Sequence, residues 1–303
     1  MILITGGSGY LGGRIASHLD RLGCQIRVGK SIESDSNGFP IDLTDDHSLN
    51  TACEGISSII HLAAMNSQSC DKDPEKAMLI NGLGTLRLLK AAKKNRVSKF
   101  LYFSTVHIYG PSLIGEINEE LLPRPLNPYA ITHRLAEDYV MGETYQQELS
   151  GTIFRLSNAL GSPIAPQANC WMLVFNDFCR QVVTNGTIEV YSNRFLQRDF
   201  IPISSICSVV SSYLYSNVLD NQIVNLSSGT SITLQSLAIM IADRSEIVLG
   251  FRPRINFHDN SIKTDTSQLV ISNSKLSSLG FKIDDNLIDE LDQLLFNCNK
   301  WFS

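Results

Sequence analysis

Metal-ligand spacing is missing from this sequence. Its seven cysteines, Cys24, Cys53, Cys70, Cys170, Cys179, Cys207 and Cys298, form no C-x-x-C pair. Their odd number and irregular spacing argue against a disulfide framework and against a zinc site. They imply reduced thiols in a cytoplasmic protein. Long apolar runs are missing too: none could span a bilayer, so no membrane partner is expected. Excess charge of one sign is absent. A net charge of −5 gives no electrostatic footprint for nucleic acid. The one basic cluster, Lys90, Lys93, Lys94, Arg96 and Lys99, reads as the solvated end of a helix. There is no internal repeat and no low-complexity tract. The first strand starts at residue 1, so no signal peptide is expected. What is left, 303 residues at 43% hydrophobic and 18% charged, is an ordinary globular composition. That length allows one large α/β domain, or a core with a smaller lobe.

Glycine is plentiful where it matters. Met1–Thr5 is a short apolar run suited to a buried parallel strand. Gly6, Gly7, Gly9, Gly12 and Gly13 follow, and Leu11, Ile15, Leu19 and Leu22 then recur at helical spacing. Strand, glycine turn and helix in succession place backbone N–H groups at a helix N-terminus, which favours an anion. A side chain there would hold the backbone away from a pyrophosphate. Gly7-x-Gly9-x-x-Gly12 and Gly6-x-x-Gly9-x-x-Gly12 both fit dinucleotide patterns, in the flanking context that gives them meaning. Gly6, Gly9, Tyr10, Leu11 and Gly12 are the candidate cofactor-binding residues of this loop.

Further along, Gln25–Gly29 reads as a second strand. Its end carries Val28-Gly-Lys30-Ser31, with no acid to hold the ribose 2′-hydroxyl of NAD. Lys30, with Ser31 or Arg27, therefore leans the choice towards NADP; a merely surface Lys30 would leave NAD. A third strand, Phe39–Leu43, ends in Asp42-Leu43. Asp42 either meets the adenine or caps the next helix with Thr44. The fourth strand runs into Leu62, Ala63 and Ala64, small enough for a cofactor to lie against the backbone. His61 in that strand reads as a packed histidine, since no ligand-type residue sits at metal spacing. Pro74–Asn95 reads as one long helix, apolar on two sides and carrying Asn81. Lys99–Thr105 is a fifth strand ending in Ser104-Thr105, and ligands gather at the carboxyl ends of parallel strands. Asn127 and Pro128 open another helix, on which Tyr129 and His133 share a face. Thr152–Leu156 and Ile223–Leu226 are later strands. Helical character returns at Trp171–Val183, Ser204–Asn217 and Asp285–Phe296, with short helices and loops elsewhere. Strands alternating with helices predict a doubly wound parallel α/β sheet, a Rossmann fold, with a smaller, mixed C-terminal substrate lobe. The expected division is a dinucleotide core over 1–160 and 203–229, and a substrate lobe over 161–202 and 230–303.

These stretches together resemble the extended short-chain dehydrogenase/reductases, the NAD(P)-dependent sugar-nucleotide epimerases, dehydratases and ketoreductases. The resemblance rests on Thr-Gly-Gly-Ser-Gly-Tyr-Leu-Gly at 5–12, His-Leu-Ala-Ala at 61–64, Asn81, and Phe-Ser-Thr-Val-His-Ile-Tyr-Gly at 103–110. Pro-Tyr at 128–129, Arg-Leu-Ser-Asn at 155–158, Gln-Arg-Asp-Phe-Ile at 197–201, Asn-Leu-Ser-Ser-Gly at 225–229 and Leu-Gly-Phe at 279–281 extend it. It implies that Tyr129 is the catalytic tyrosine and that Thr105 bonds the substrate oxygen. It implies that Arg198 binds a nucleotide diphosphate and Asn158 lines the sugar site, with Asn81 and Ser104 among the cofactor contacts. It also implies a cytoplasmic homodimer through helices 74–95 and 128–149, working on a nucleotide sugar for polysaccharide biosynthesis.

Two departures stand out. The family pattern is Tyr-x-x-x-Lys, whereas this chain has Tyr129-Ala-Ile-Thr-His133. His133 can reach a ribose hydroxyl but is largely neutral at pH 7. It is a working substitute, or it marks slow chemistry suited to ketone reduction, or it marks a non-catalytic NAD(P)-binding regulator or scaffold. The second departure is Val106-His107 where family dehydratases carry Asp-Glu, which argues against a 4,6-dehydratase. His107 either contacts substrate or covers the cleft. The expected function is thus NAD(P)-dependent epimerisation or 4-keto reduction of a nucleotide-activated sugar.

Overall fold

The computed structural model describes residues 1–303 except 35–36, 112, 146–148, 259–267 and 285. The first residue of the expected helix at 285 and part of the end of the expected 128–149 helix lie outside the described residues. The chain divides into two compact units. The first comprises 1–113, 119–156 and 210–226, and the second 114–118, 157–209 and 227–303.

In the first unit β1 (Ile2–Thr5), β2 (Ile26–Ser31), β3 (Phe39–Ile41), β4 (Ser58–His61) and β5 (Lys99–Thr105) join the strands Ser150–Leu156 and Ile223–Leu226. They form one seven-stranded sheet in the order Ile223–Leu226, Ser150–Leu156, β5, β4, β1, β2, β3. Every neighbouring pair is parallel. From β1 the chain winds outward through β2 and β3, then returns to wind the other way through β4 and β5. The direction reverses between β1 and β4, and such a switch point opens a crevice beyond the strand ends. Thr5 of β1 pairs with His61 of β4. The glycine turn after Thr5 and the Leu62–Ala64 loop after His61 are therefore neighbours by topology.

Burial explains why these elements form. Leu3, Leu49, Ile59, Leu88, Leu89, Phe100 and Ile153 belong to one core cluster and are almost wholly buried. The helix α1 (Tyr10–Arg21) contributes Ile15 and Leu19 at helical spacing. The helix α2 (Asp46–Cys53) is capped at its start by Asp45, whose carboxylate accepts the His47 and Ser48 N–H groups. At its other end the Arg27 guanidinium donates to the Thr51, Ala52 and Glu54 carbonyls.

The expected single helix over 74–95 is three pieces end to end: Pro74–Ala77, a π-helical turn Met78–Leu83, and Gly84–Lys94. The extra residue of a π turn leaves no trace in apolar periodicity, and such turns gather at functional sites. Two members of the basic cluster are not purely solvated. Lys93 pairs with Glu143 at 2.7 Å, and Lys99 lies 3.6 Å from Asp220.

The second unit has its own core, built around Phe175, Cys179, Val182, Ile188, Leu237, Ile241, Leu291 and Leu294. Its helices include Val174–Asn185, Leu234–Leu249 and Leu287–Phe302. The sixteen-residue helix Leu234–Leu249 is the main departure from the expected short helices and loops. Its small sheets pair strands that are remote in sequence, such as Asn158–Leu160 with Gln197–Pro202, and Thr187–Val190 with Arg254–Phe257.

Candidate active site

The glycine turn is closed by backbone. Gly6 has φ +65°, and a Cβ there would meet the Ala63 nitrogen at 2.9 Å. A Cβ on Gly12 would fall far inside contact distance of the Gly6 carbonyl oxygen. Gly9, the N-cap of α1, carries no side chain to cap it, and the Gly9 N–H returns to the Gly6 carbonyl at 2.9 Å. Tyr10 and Leu11 form the first turn of α1, both half-buried. The loop thus brings bare backbone to a helix N-terminus, the arrangement suited to a pyrophosphate. Gly12→Ala is expected to cost at least about 3 kcal/mol, or to open the turn and abolish dinucleotide binding. Urea denaturation and a cofactor fluorescence titration would check this.

A directional hydrogen-bond chain holds the crevice floor. The Leu62 and Ala63 N–H groups donate to Thr5 Oγ1 at 3.2 and 3.3 Å. Thr5 Oγ1 lies 2.6 Å from His61 Nδ1, and His61 Nε2 lies 3.0 Å from Thr85 Oγ1. Thr85 donates its own proton to the Asn81 carbonyl at 2.6 Å. Thr85 therefore accepts from Nε2–H, and Nδ1 accepts from Thr5. Burial, with a smaller contribution from His133, pushes the His61 pKa down to about 3. His61 is a packed, neutral strand histidine, as its sequence context suggested. The Asn81 side chain continues the scaffold: Oδ1 accepts the Met65 N–H at 2.8 Å, and Nδ2 donates to Thr132 Oγ1 at 3.0 Å. Asn81 thereby ties the loop after β4 to the helix Pro128–Tyr145.

At the adenosine side the expectations divide. Arg27 is committed to the end of α2, and so is not available beside Lys30. Lys30 is half-buried, with Nζ on the Ser34 carbonyl at 2.9 Å, and Ser31 Oγ accepts the exposed Glu33 N–H. Asp42 does not cap α2. Its Oδ1 accepts the Thr44 N–H and hydroxyl at 2.8 and 2.7 Å, hydrogen bonds that lower its pKa. The cap is Asp45, three residues on. Leu43 is buried beneath this turn, packed in the core cluster.

The reacting end lies where β5 meets the Pro128 helix. Asn127 Oδ1 accepts the Ala130 N–H at 2.8 Å, the N-cap that Asn-Pro implies. This orients Tyr129 on the first turn. Its phenol hydrogen-bonds the Thr105 hydroxyl. Desolvation pushes the Tyr129 pKa up to about 12, against that hydrogen bond. Thr105 Oγ1 also accepts the His107 N–H at 3.2 Å, which turns the chain after β5 and leaves His107 exposed. The His133 ring meets Tyr129 edge-on, centroids 4.4 Å apart. Burial, with His107 contributing, holds the His133 pKa near 3, so its ring is neutral. Tyr102 was not singled out from the sequence, where it reads as one more aromatic of a core strand. Its hydroxyl is 2.7 Å from His133 Nδ1, and burial raises its pKa well above the ordinary value. A buried tyrosine needs a polar partner, which was the available signal.

Two buried polar atoms here find no partner among the described residues: Ser104 Oγ and His133 Nε2. With the glycine cradle, they fit a nicotinamide dinucleotide, whose ribose and amide oxygens and nitrogens could satisfy them. In the second unit Asn158 Nδ2 donates to the Asp199 carbonyl at 2.8 Å, bridging two strands. The half-buried Arg198 guanidinium donates only to its neighbour, the Gln197 carbonyl, and has no carboxylate partner among the described residues. Asp199, also not singled out from the sequence, is fully buried and accepts from Ser157, Ser228 and Gly229.

Residues 2–227 match the profile of the NAD-dependent epimerase/dehydratase family. The chain belongs to that family. Among its relatives is the GDP-6-deoxy-D-talose 4-dehydrogenase of Aggregatibacter actinomycetemcomitans, 29% identical over 249 residues and 80% of each chain. The solved structure of RMD from Pseudomonas aeruginosa, complexed with NADPH, superposes with a TM-score of 0.81 at 23% identity, covering 99% of this chain and 98% of that one. The Thermus thermophilus UDP-glucose 4-epimerase complex with NAD gives 0.84 at 22% identity, covering 99% of each. Those two likenesses show the Rossmann fold. The family is one of enzymes, and nothing among these relatives supports the alternative of a non-catalytic module. A nicotinamide cofactor follows from membership. Among the described residues no helix is long and apolar enough to cross a membrane, and no group of three or more metal-binding side chains occurs.

Proposed function

We propose that this chain reduces the keto group of a nucleotide-activated 4-keto sugar, taking NADPH in preference to NADH. The choice of direction is carried by the edge-on contact of the Tyr129 ring with His133, which stands where the family pattern has a lysine; desolvation raises the pKa of the phenol and lowers that of the ring, so neither favours the phenolate. A phenol with a pKa near 12 keeps its proton at neutral pH, so it has one to give and is seldom in the phenolate form that oxidation needs. Epimerisation requires the same oxygen both to lose and to regain its proton. Reduction requires only the gift.

In this reading the bound nicotinamide supplies the hydride. The Thr105 hydroxyl holds the substrate carbonyl oxygen, and Tyr129 Oη gives that oxygen its proton, leaving a carbinol. Ser104 and His133 hold the nicotinamide half, while the turn from Gly6 to Gly12 carries the pyrophosphate. Leu62, Ala63 and Ala64 pack against the cofactor, and Asn81 acts through the loop it anchors. Lys30 and Ser31, at a strand end without an acid, receive the 2′-phosphate, with Asp42 and Leu43 beside the adenine. Arg198, a guanidinium without a counter-ion among the described residues, takes the substrate diphosphate. Asn158 and His107 contact the sugar. The Val106-His107 pair offers no acid couple for eliminating water, so dehydration is not proposed.

Met78, Leu79 and Leu83 on one helix, and Ile131 and Leu135 on the next, expose apolar side chains. They support a homodimer through these helices, which sedimentation would show as twice the chain mass. All seven cysteines are free, which fits a reducing compartment, the cytoplasm.

The test is incubation with NADPH or NADH and a panel of 4-keto sugar nucleotides, read by loss of reduced cofactor. Reduction should be nearly flat from about pH 6 to pH 9, because the phenol stays protonated throughout. The reverse oxidation should rise with pH, because it needs the phenolate. Interconversion of 4-hydroxy sugar nucleotides with no net change in cofactor would replace this reading by an epimerase.

A further inference from the structure

The imidazole of His133 is wedged between two tyrosines. Tyr102 lies on one side, its ring centroid 5.8 Å away and its hydroxyl 2.7 Å from Nδ1. Tyr129 lies on the other, 4.4 Å away and edge-on. Tyr102 and His133 are 2% and 3% exposed, so water does not reach the pair freely.

Counting protons fixes the tautomer. A phenol has one proton to place, and the only hydrogen-bond partner of Tyr102 Oη among the described residues is His133 Nδ1. A proton on Nδ1 would strand the phenol's own. The consistent arrangement has Tyr102 Oη–H donating to Nδ1, and the ring proton on Nε2. That Nε2–H is left with no acceptor among the described residues. Buried donors without partners are rare in folded proteins, so this one points to a ligand oxygen.

We propose that Tyr102 is a positioning residue that holds His133 as its Nε2–H tautomer, and that this N–H donates to a hydroxyl oxygen of the bound nicotinamide riboside. The inference rests on the nicotinamide dependence stated above, but not on the substrate or the direction of reaction. It separates two functions that a lysine would combine. The chain keeps a directed donor for the riboside and gives up a fixed positive charge.

The surroundings keep the ring neutral over the working range. The groups that face it are Tyr102 on β5, His107 on the turn after β5, His61 on β4, and Tyr129 on its own helix. Glu137, one helical turn further on, is engaged by Arg155 at 3.1 and 2.9 Å, so it is not free to draw a proton onto the ring. The donor should therefore be present at every pH from about 5 to 9, with cofactor affinity flat across that window.

The experiment uses the full chain labelled with 15N-histidine and free of cofactor. Long-range proton–nitrogen correlation spectra identify the His133 signals by their loss in His133→Gln. The expected result is a single neutral Nε2–H tautomer that does not protonate down to about pH 5. In Tyr102→Phe the signals should move to a tautomer mixture. The Kd for NADPH, read by fluorescence titration, should rise about 2- to 10-fold in that variant. His133→Gln, which keeps a donor, should bind NADPH more tightly than His133→Leu. A Nδ1–H tautomer in the wild type overturns the proposal, as does an unchanged Kd in Tyr102→Phe or equal binding by the Gln and Leu variants. If Tyr102→Phe does not fold, the wild-type tautomer and the Gln–Leu comparison still decide. Failure to reduce any keto sugar, with these results intact, would sink the reductase reading alone. Absence of any nicotinamide binding would sink both.

Discussion

Tyr129→Phe should lower the rate of keto reduction by about 10²- to 10⁴-fold, the usual contribution of a positioned proton donor. The substitution removes one oxygen. Phe keeps the edge-on ring contact with His133, and among the described residues the protein hydrogen bond lost is the one to Thr105. Stability should therefore change by no more than about 1 kcal/mol. The cofactor is held by other groups, so the Kd for NADPH should stay within about twofold of the wild type. This combination, turnover lost with fold and cofactor kept, assigns the proton to Tyr129. A loss of less than about tenfold would mean that water or another side chain delivers it. His107 would then be the first to examine, since it is exposed beside the same ring at 6.4 Å.

Arg155→Met should cost about 3–5 kcal/mol of stability, the range found when one partner of a buried ion pair is removed. Arg155 and Glu137 have side chains only 2% and 1% exposed, joined by two hydrogen bonds of 3.1 and 2.9 Å. The guanidinium also donates to Tyr109 Oη at 2.9 Å, and that phenol donates to Asn225 at 2.8 Å. Without Arg155 the Glu137 carboxylate keeps, among the described residues, only the Arg134 guanidinium at 3.3 Å. The bulk of the cost is thus the stranded charge, not the lost attraction. The double variant Arg155→Met, Glu137→Leu should recover most of the loss, because it removes both charges together. Urea denaturation of the two variants checks both statements. A double variant no more stable than the single would place the cost in packing instead.

The parts of the fold that follow one local rule were legible in the sequence. The strand Lys99–Thr105 matches its expected bounds, as does Ile223–Leu226, because each holds a short apolar stretch, Phe100–Phe103 and Ile223-Val224, with polar residues marking its end. The helix opening at Pro128 was announced by its cap and its proline. The helix Leu234–Leu249 was missed because Leu237 to Ile241 is apolar at every position, which hides the helical period; Ile239 is 40% exposed. The paired strands of the second unit were missed for another reason. Their partners lie more than 30 residues away, as Asn158 from Phe200, and no short window along the chain contains both. At the candidate site the residue types were visible, but their commitments were not. Asp42 and Asp45 are both acids near a helix start, and only the backbone direction decides which one caps. Arg27 and Lys30 are both cations on one strand, and only the fold shows that Arg27 is spent on α2. Tyr102 and His133 sit 31 residues apart, and their hydrogen bond exists only once β5 and the helix pack.

The closed glycine turn has a consequence for genetics. At Gly29 the nearest obstacle to a Cβ is Ile41 Cδ1 at 2.5 Å, the tip of a side chain. A second substitution that shortens residue 41 removes the worst contact and leaves the Ile4 carbonyl oxygen at 3.1 Å, which has to give by only a few tenths of an ångström, so damage at Gly29 has a partial suppressor within reach. At Gly12 the obstacle is the carbonyl oxygen of Gly6, which every amino acid carries. No exchange of side chains elsewhere removes it. A selection begun from Gly12→Ala should return glycine at that position and little else, whereas one begun from Gly29→Ala should also return changes at Ile41.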